Sequence, residues 1–227
     1  MHADFWHERW QRNQIGFHQD AVNPYLSTYW PALDAGQGAR AFVPLCGKTV
    51  DMRWLRSQGH TVLGVEISPL AVQAFFAEHD LPATVREVGR FRVYEADGIC
   101  IYCGDFFDLT PDDLAGVSAV FDRASLVALP PDMRSRYAAH MQALLAPESR
   151  VLLVAFDYPQ HEMQGPPFSV QAHEVQALYE RGCEVSLLHT ADILAQEPHF
   201  RAKGITRLEE KIYRLTFNSH QEFSCAS

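Results

Sequence analysis

The sequence predicts an α/β fold organised around a mostly parallel seven-stranded sheet flanked by helices. Two observations carry this. Apolar, β-rich runs alternate with segments of helical periodicity over most of the chain, the pattern of successive βαβ units. The length of 227 residues suits one α/β domain around one large core.

Taken in order, residues 4–14 read as an amphipathic helix rich in aromatics. Residues 23–33 read as a second helix, before the glycine-rich break Gly36-Gln37-Gly38. Both precede the first strand, 39–44. A helix at 51–57 leads to a strand at 61–66, and a helix at 69–79 follows. Residues 90–96 and 99–103 read as strands around Asp97-Gly98, because that dipeptide supplies the positive φ angles of a type I′ hairpin. The second of them takes third place in the sheet. A strand at 117–121, a helix at 131–145 ended by Pro147, and a strand at 150–156 come next. Residues 170–181 are helical up to Gly182. Strands at 184–189 and 212–217 then close the sheet as an antiparallel pair across a polar, helix-prone link. Seven strands result, in one domain spanning 1–217, and the polar, aperiodic residues 218–227 read as a flexible tail.

Composition excludes several classes. With 47% hydrophobic and 21% charged residues, the chain is neither disordered nor fibrous. A formal net charge of −9 argues against nucleic acid, since a polyphosphate partner needs surplus Lys and Arg. The first ten residues carry no basic stretch followed by an apolar run, as a secretory signal would. No segment reaches the roughly 18 apolar residues of a membrane span. The expected location is therefore cytoplasmic, without a membrane partner, and the expected state is a monomer. Cys46, Cys100, Cys103, Cys183 and Cys225 are odd in number and scattered, so they read as reduced thiols.

In an open parallel sheet, ligands bind beyond the carboxyl ends of the strands near the switch point, so the residues after each strand matter most. After the first strand comes Pro44-Leu45-Cys46-Gly47-Lys48-Thr49, with one glycine where a dinucleotide fold carries three. Such a loop can approach a ligand but is poorly built to cradle a pyrophosphate, which favours a cofactor without one, such as S-adenosylmethionine. Lys48-Thr49 resembles the end of a P-loop, yet Phe42 stands where its upstream glycine belongs. Glu66 ends the next strand, where a carboxylate can accept both hydroxyls of an adenosine ribose. It can equally be a helix-opening glutamate favoured by the helix dipole. Gly104-Asp105-Phe106-Phe107 suits an adenine, with an acid for its amino group and aromatics beside its ring; loop packing is the plainer reading. Asp122-Arg123 places a cation where donor and acceptor should meet, and a surface ion pair between the two is the alternative.

Two signals carry less. Cys100 and Cys103 lie three apart in a strand and face opposite sides, so they pack rather than form a redox or metal pair. Eleven histidines appear without H-E-x-x-H or paired C-x-x-C spacing, so no metal is expected.

Together, Pro44-Leu45-Cys46-Gly47-Lys48, Asp51-Met52-Arg53-Trp54-Leu55 and the run from Gly59 to Ser68 closely resemble the signature of the thiopurine S-methyltransferase family. Phe5-Trp6-x-x-Arg9-Trp10 with Ile15-Gly16-Phe17-His18, Gly104 to Phe107, Asp122-Arg123-Ala124, Gly165-Pro166-Pro167-Phe168 and Glu210-Lys211-Ile212-Tyr213 continue in the family's order. The resemblance covers nearly the whole chain. It implies a Rossmann-like class I methyltransferase fold whose N-terminal helical cover closes over S-adenosylmethionine, with S-adenosylhomocysteine as product. By the same resemblance, Trp10 is the aromatic on the cover, Leu45 the contact after the first strand, Glu66 the ribose carboxylate and Arg123 the arginine near the donor. Asp105 and Phe106 are similar to adenine-side contacts. Phe17 and Phe168 look like acceptor-pocket residues, with Arg201 as a second cation.

The donor's sulfonium is already electrophilic, so in-line transfer depends chiefly on positioning. Arg123 would hold an anionic acceptor, and Asp122 or a nearby water would take any proton. The implied acceptors are aromatic or heterocyclic thiols such as thiopurines, and selenium or tellurium compounds in a detoxifying role. The alternatives are a class I methyltransferase for another small oxygen, nitrogen or sulfur acceptor, a nicotinamide oxidoreductase, which the single-glycine loop disfavours, and a non-catalytic nucleotide-binding module.

Overall fold

The computed structural model describes residues 3–36 and 38–218. Helices α1 (Ala3–Gln11) and α2 (Pro24–Tyr29) precede β1 (Arg40–Val43). Then come α3 (Asp51–Ser57), β2 (Thr61–Glu66), α4 (Pro69–Glu78), β3 (Thr84–Val88), β4 (Phe91–Ala96) and β5 (Ile99–Cys103). The second half runs β6 (Val117–Arg123), α5 (Pro131–Leu144), β7 (Arg150–Asp157), α6 (Ala172–Tyr179), β8 (Cys183–Asp192), α7 (Pro198–Ala202) and β9 (Glu209–Phe217).

All these strands join one sheet in the order β3-β4-β5-β2-β1-β6-β7-β9-β8. The five central strands, β5, β2, β1, β6 and β7, pair in parallel. The chain builds outward from β1 through β2 to β5 and then returns to the other side of β1 with β6. The switch point therefore lies between β1 and β6, where the topology predicts a ligand crevice.

Among the described residues, nine strands replace the expected seven. One extra is β4, the first arm of the hairpin, which pairs fully with β5. Its turn has φ of 49° at Asp97 and 73° at Gly98, the type I′ geometry that this dipeptide favours. The other extra, β3, was not visible because an exposed edge strand carrying Arg86 and Glu87 lacks a buried face to impose alternation. The second predicted helix also divides. Proline cannot donate to the helical ladder, so Pro31 ends α2 and a short 3-10 turn, Trp30–Leu33, continues it.

The sheet buries both faces. Phe42, Leu63, Val65, Val120 and Leu153 pack against Tyr137 and Met141 of α5 on one side. Ala41, Val43, Val62, Phe121 and Leu152 meet Trp30, Leu55 and Phe75 on the other. Cys100 and Cys103 belong to opposite faces, as strand alternation requires. No helix among the described residues is long and apolar enough to cross a membrane. Asn218 donates from its backbone to Gly182, at 3.0 Å, and the rest of the expected tail, with Cys225, lies outside the described residues, as does Gln37.

Candidate active site

The ends of the four strands around the switch point are tied to one another. Backbone N–H groups of Cys46 and Gly104 donate to the carbonyls of Val65 and Glu66, each at 2.9 Å. The Ser125 hydroxyl donates to the Pro44 carbonyl at 2.8 Å. Within this frame two non-glycine residues adopt left-handed backbone, Leu45 with φ 44° and Ala124 with φ 64°. Such conformations cost about 1–2 kcal/mol each and persist where surrounding structure enforces them. Both residues line the main cavity.

Glu66 sits at the centre of the frame. Its two carboxylate oxygens accept backbone N–H groups from Gly47 and Ser68, each at 2.8 Å. Burial pushes its carboxyl up to about 7, against the opposing pull of the N–H groups of Ser68 and Gly47. The Ile67 N–H also donates to the carboxylate, which leaves it one further lone pair for a ligand hydroxyl. The Ser68 bond makes Glu66 part of the start of α4, so the two readings of this residue are compatible.

The N-terminal segment lies over this loop. Trp10 packs so closely on Gly47 that a side chain there would meet its ring at 3.2 Å. Phe17 meets the edges of Trp6 and Trp10, with ring centres 5.9 and 5.8 Å apart. The segment is pinned at two points: Arg123 donates to the Phe17 carbonyl at 3.0 Å, and the Asn23 N–H donates to Asp51 at 2.8 Å.

The result is a cavity of about 380 Å³, within the range of small-molecule sites. The structure brings seven of the expected residues around it: Trp10, Phe17, Leu45, Glu66, Asp105, Phe106 and Arg123. Asp105 caps the turn that follows it, accepting the Phe107 N–H at 2.9 Å, while Phe106 also packs on Tyr137.

Three expected residues lie elsewhere. Asp122 does not face the cavity or pair with Arg123. Adjacent strand residues point to opposite sides, and its carboxylate accepts the Tyr137 hydroxyl at 2.8 Å and the Leu126 N–H at 3.3 Å inside the core. It fixes the turn that carries Ala124 and is not placed to take a proton from a ligand. Phe168 folds back against Gly165 and lies 5.9 Å below the Arg134 guanidinium, so Pro166 and Pro167 face the cavity instead. Arg201 is exposed on α7; His199 and Lys203 line the cavity, and position 201 lies about 200° around the helix from 199.

Residues to which the sequence reading gave no role also line the cavity: Arg9 and Gln14 from the cover, and Glu197, His199, Lys203 and Glu210 at the far end. The i, i+4 spacing of 199 and 203 was the available signal, but it needed the helix boundaries. Among the described residues, no three His, Cys, Asp or Glu side chains are grouped to hold a metal ion.

Comparison with known proteins fits this geometry. The family model "Thiopurine S-methyltransferase (TPMT)" matches residues 1–218. The chain belongs to the thiopurine S-methyltransferase family. It is 53% identical to the thiopurine S-methyltransferase of Nitrosospira multiformis over 95% of this chain and 98% of that one. Identity to the Pseudomonas fluorescens enzyme is 52%, over 95% and 99%. The fold is similar to that of Burkholderia thailandensis 1,6-didemethyltoxoflavin-N1-methyltransferase, solved with its acceptor and S-adenosylhomocysteine. The TM-score is 0.63 at 16% identity, covering 96% of this chain and 87% of that one.

As in its family, the methyl donor is S-adenosylmethionine, and the residues present fit it. A buried carboxylate with a lone pair to spare, an indole over a glycine loop and aromatics beside Asp105 give the cavity both the polar and the apolar lining such a molecule needs. The buried Arg9 Nε, which has no hydrogen-bond partner among the described residues, offers a further donor at the cover.

Proposed function

We propose that this enzyme transfers the methyl group of S-adenosylmethionine to the sulfur of a small aromatic or heterocyclic thiol of the thiopurine type. The observation that carries this reading is the single cavity in which Glu66, Trp10 and Asp105 adjoin Arg123. In it Glu66 would hold the ribose, Leu45 and Trp10 the methionine portion, and Asp105 with Phe106 the adenine. The donor supplies an electrophilic methyl group. Arg123 stands at the end of β6, where its guanidinium orients the acceptor sulfur and favours negative charge that develops on it. Phe17, Phe156 and Pro167 exclude water from the reacting atoms. Reduced selenium or tellurium compounds, which attack through a similarly soft atom, extend the acceptor range of this reading.

The test is calorimetric titration with S-adenosylmethionine, followed by 6-mercaptopurine or selenite with a thiol reductant, measuring S-adenosylhomocysteine formed. Donor binding with turnover of 6-mercaptopurine is expected. Donor binding without turnover of any thiol would overturn the acceptor class.

A further inference from the structure

The far end of the cavity is not simply cationic. Glu210 and Glu197 line it alongside Arg123, His199 and Lys203. Glu210 lies opposite Phe156 in the β7–β9 ladder, and both side chains line the cavity. Its carboxyl hydrogen-bonds to the Tyr25 side chain from α2, is attracted by Arg123 of β6 and is repelled by Glu197. Burial raises its proton affinity above that of an ordinary glutamate. A site built for a fully ionised oxyanion would not set two carboxylates beside its arginine, because like charges in a partly desolvated cavity repel.

Resting on the proposed thiol methylation, we propose that Glu210 is the proton acceptor for a heteroaromatic thione carrying an N–H next to its C=S group. Arg123 takes the sulfur and Glu210 takes the N–H. The acceptor sulfur uses a lone pair to form its bond to the methyl carbon, while the donor's S–CH₃ bond breaks with its electron pair staying on the donor sulfur. The N–H proton passes to the Glu210 carboxylate, and the released pair forms the ring C=N as the C=S becomes a C–S single bond. The products are a neutral methyl thioether, S-adenosylhomocysteine and a protonated Glu210, which returns its proton to solvent when the product leaves.

The experiment compares wild type, Glu210→Gln and Glu210→Asp with two acceptors: 6-mercaptopurine, which must lose an N–H proton, and 4-nitrothiophenol, which ionises readily in solution. Below the ionisation of free 6-mercaptopurine, kcat of the Gln variant with it falls about 100-fold. That loss shrinks as rising pH ionises the acceptor, and Asp restores part of it. The loss with 4-nitrothiophenol is at least roughly tenfold smaller, in keeping with a role confined to proton acceptance. With S-adenosylhomocysteine present, calorimetric affinity of the Gln variant for 6-mercaptopurine drops about tenfold, the effect of one charge-assisted hydrogen bond. Equal losses on both acceptors, or no loss with 6-mercaptopurine, overturn the Glu210 assignment while leaving thiol methylation intact. A wild-type enzyme that methylates neither acceptor overturns the thiol reading and this proposal together. Unchanged S-adenosylmethionine affinity in the variants establishes that the fold is retained.

Discussion

The guanidinium of Arg123 donates to the backbone carbonyl of Phe17 across 106 positions of sequence, joining the end of β6 to the cover that precedes β1. One residue thus both lines the cavity and ties down the segment that precedes β1. Burial lowers its proton affinity, and Asp51, Glu210 and Glu197 counter that effect, so it stays cationic.

Replacing Arg123 with Lys keeps the charge and loses the fork. We expect kcat/KM to fall by at least about tenfold, the loss of one charge-assisted pair. Arg123→Ala also frees the cover, and trypsin cleavage after Arg12 should accelerate. An unchanged digestion rate would show that this bond does not hold the segment.

Glu66→Gln should weaken S-adenosylmethionine binding by about 1–3 kcal/mol, since one oxygen becomes a donor facing N–H and hydroxyl groups. Because the wild-type carboxyl titrates near 7, donor affinity should rise from pH 6 to pH 8 as it ionises and becomes a full acceptor. The Gln variant should lack that component. Calorimetry at three pH values decides it, and a flat wild-type profile would refute the ribose role.

Gly47→Ala places a methyl group against Trp10 in a backbone at φ 53°. We expect a stability loss of about 1–2 kcal/mol in chemical denaturation. Donor affinity should fall as well, because the ring must shift, whereas Gly116→Ala, also at positive φ but in open space, should spare affinity.

Asp122→Asn should destabilise the fold, because its amide offers one acceptor oxygen where the carboxylate serves two donors, the Leu126 N–H and the Tyr137 hydroxyl. The sign of its pH dependence follows from burial raising the carboxyl to about 6 in the folded state. The stability that protonated Asp122 provides is full below about pH 4 and is lost as pH rises through 6. The gap between wild type and variant should therefore narrow between pH 4 and pH 7.5, by about 1.4 kcal/mol for each unit by which folding raises the carboxyl. A constant gap would mean that Asp122 stays ionised throughout.

The central sheet was legible because buried parallel strands are nearly continuous apolar runs, and β2 and β5 have the boundaries that their flanking turns announce. The edge strand β3 was not, since Arg86 and Glu87 face solvent and obey no periodicity. The strand-end residues Leu45, Glu66 and Arg123 could be located because topology dictates where strands end. Asp122 could not be assigned a direction until the extent of β6 was known, since one step along a strand reverses a side chain. At α7 the sequence pointed to Arg201 alone; the polar link around it carries no periodicity to fix its register, and only the helix itself shows that His199 and Lys203, two positions to either side, line the cavity.

Two of the four tryptophans, Trp6 and Trp10, stand on the cover at the cavity, while Trp30 is buried in the core and Trp54 lies on α3. Indole emission responds to polarity, so the first pair reports on whatever enters beneath the cover while the second supplies a steady background. Ligand capture can therefore be followed in the unlabelled protein by its own ultraviolet light, and Trp54→Phe would sharpen the signal without touching the cavity.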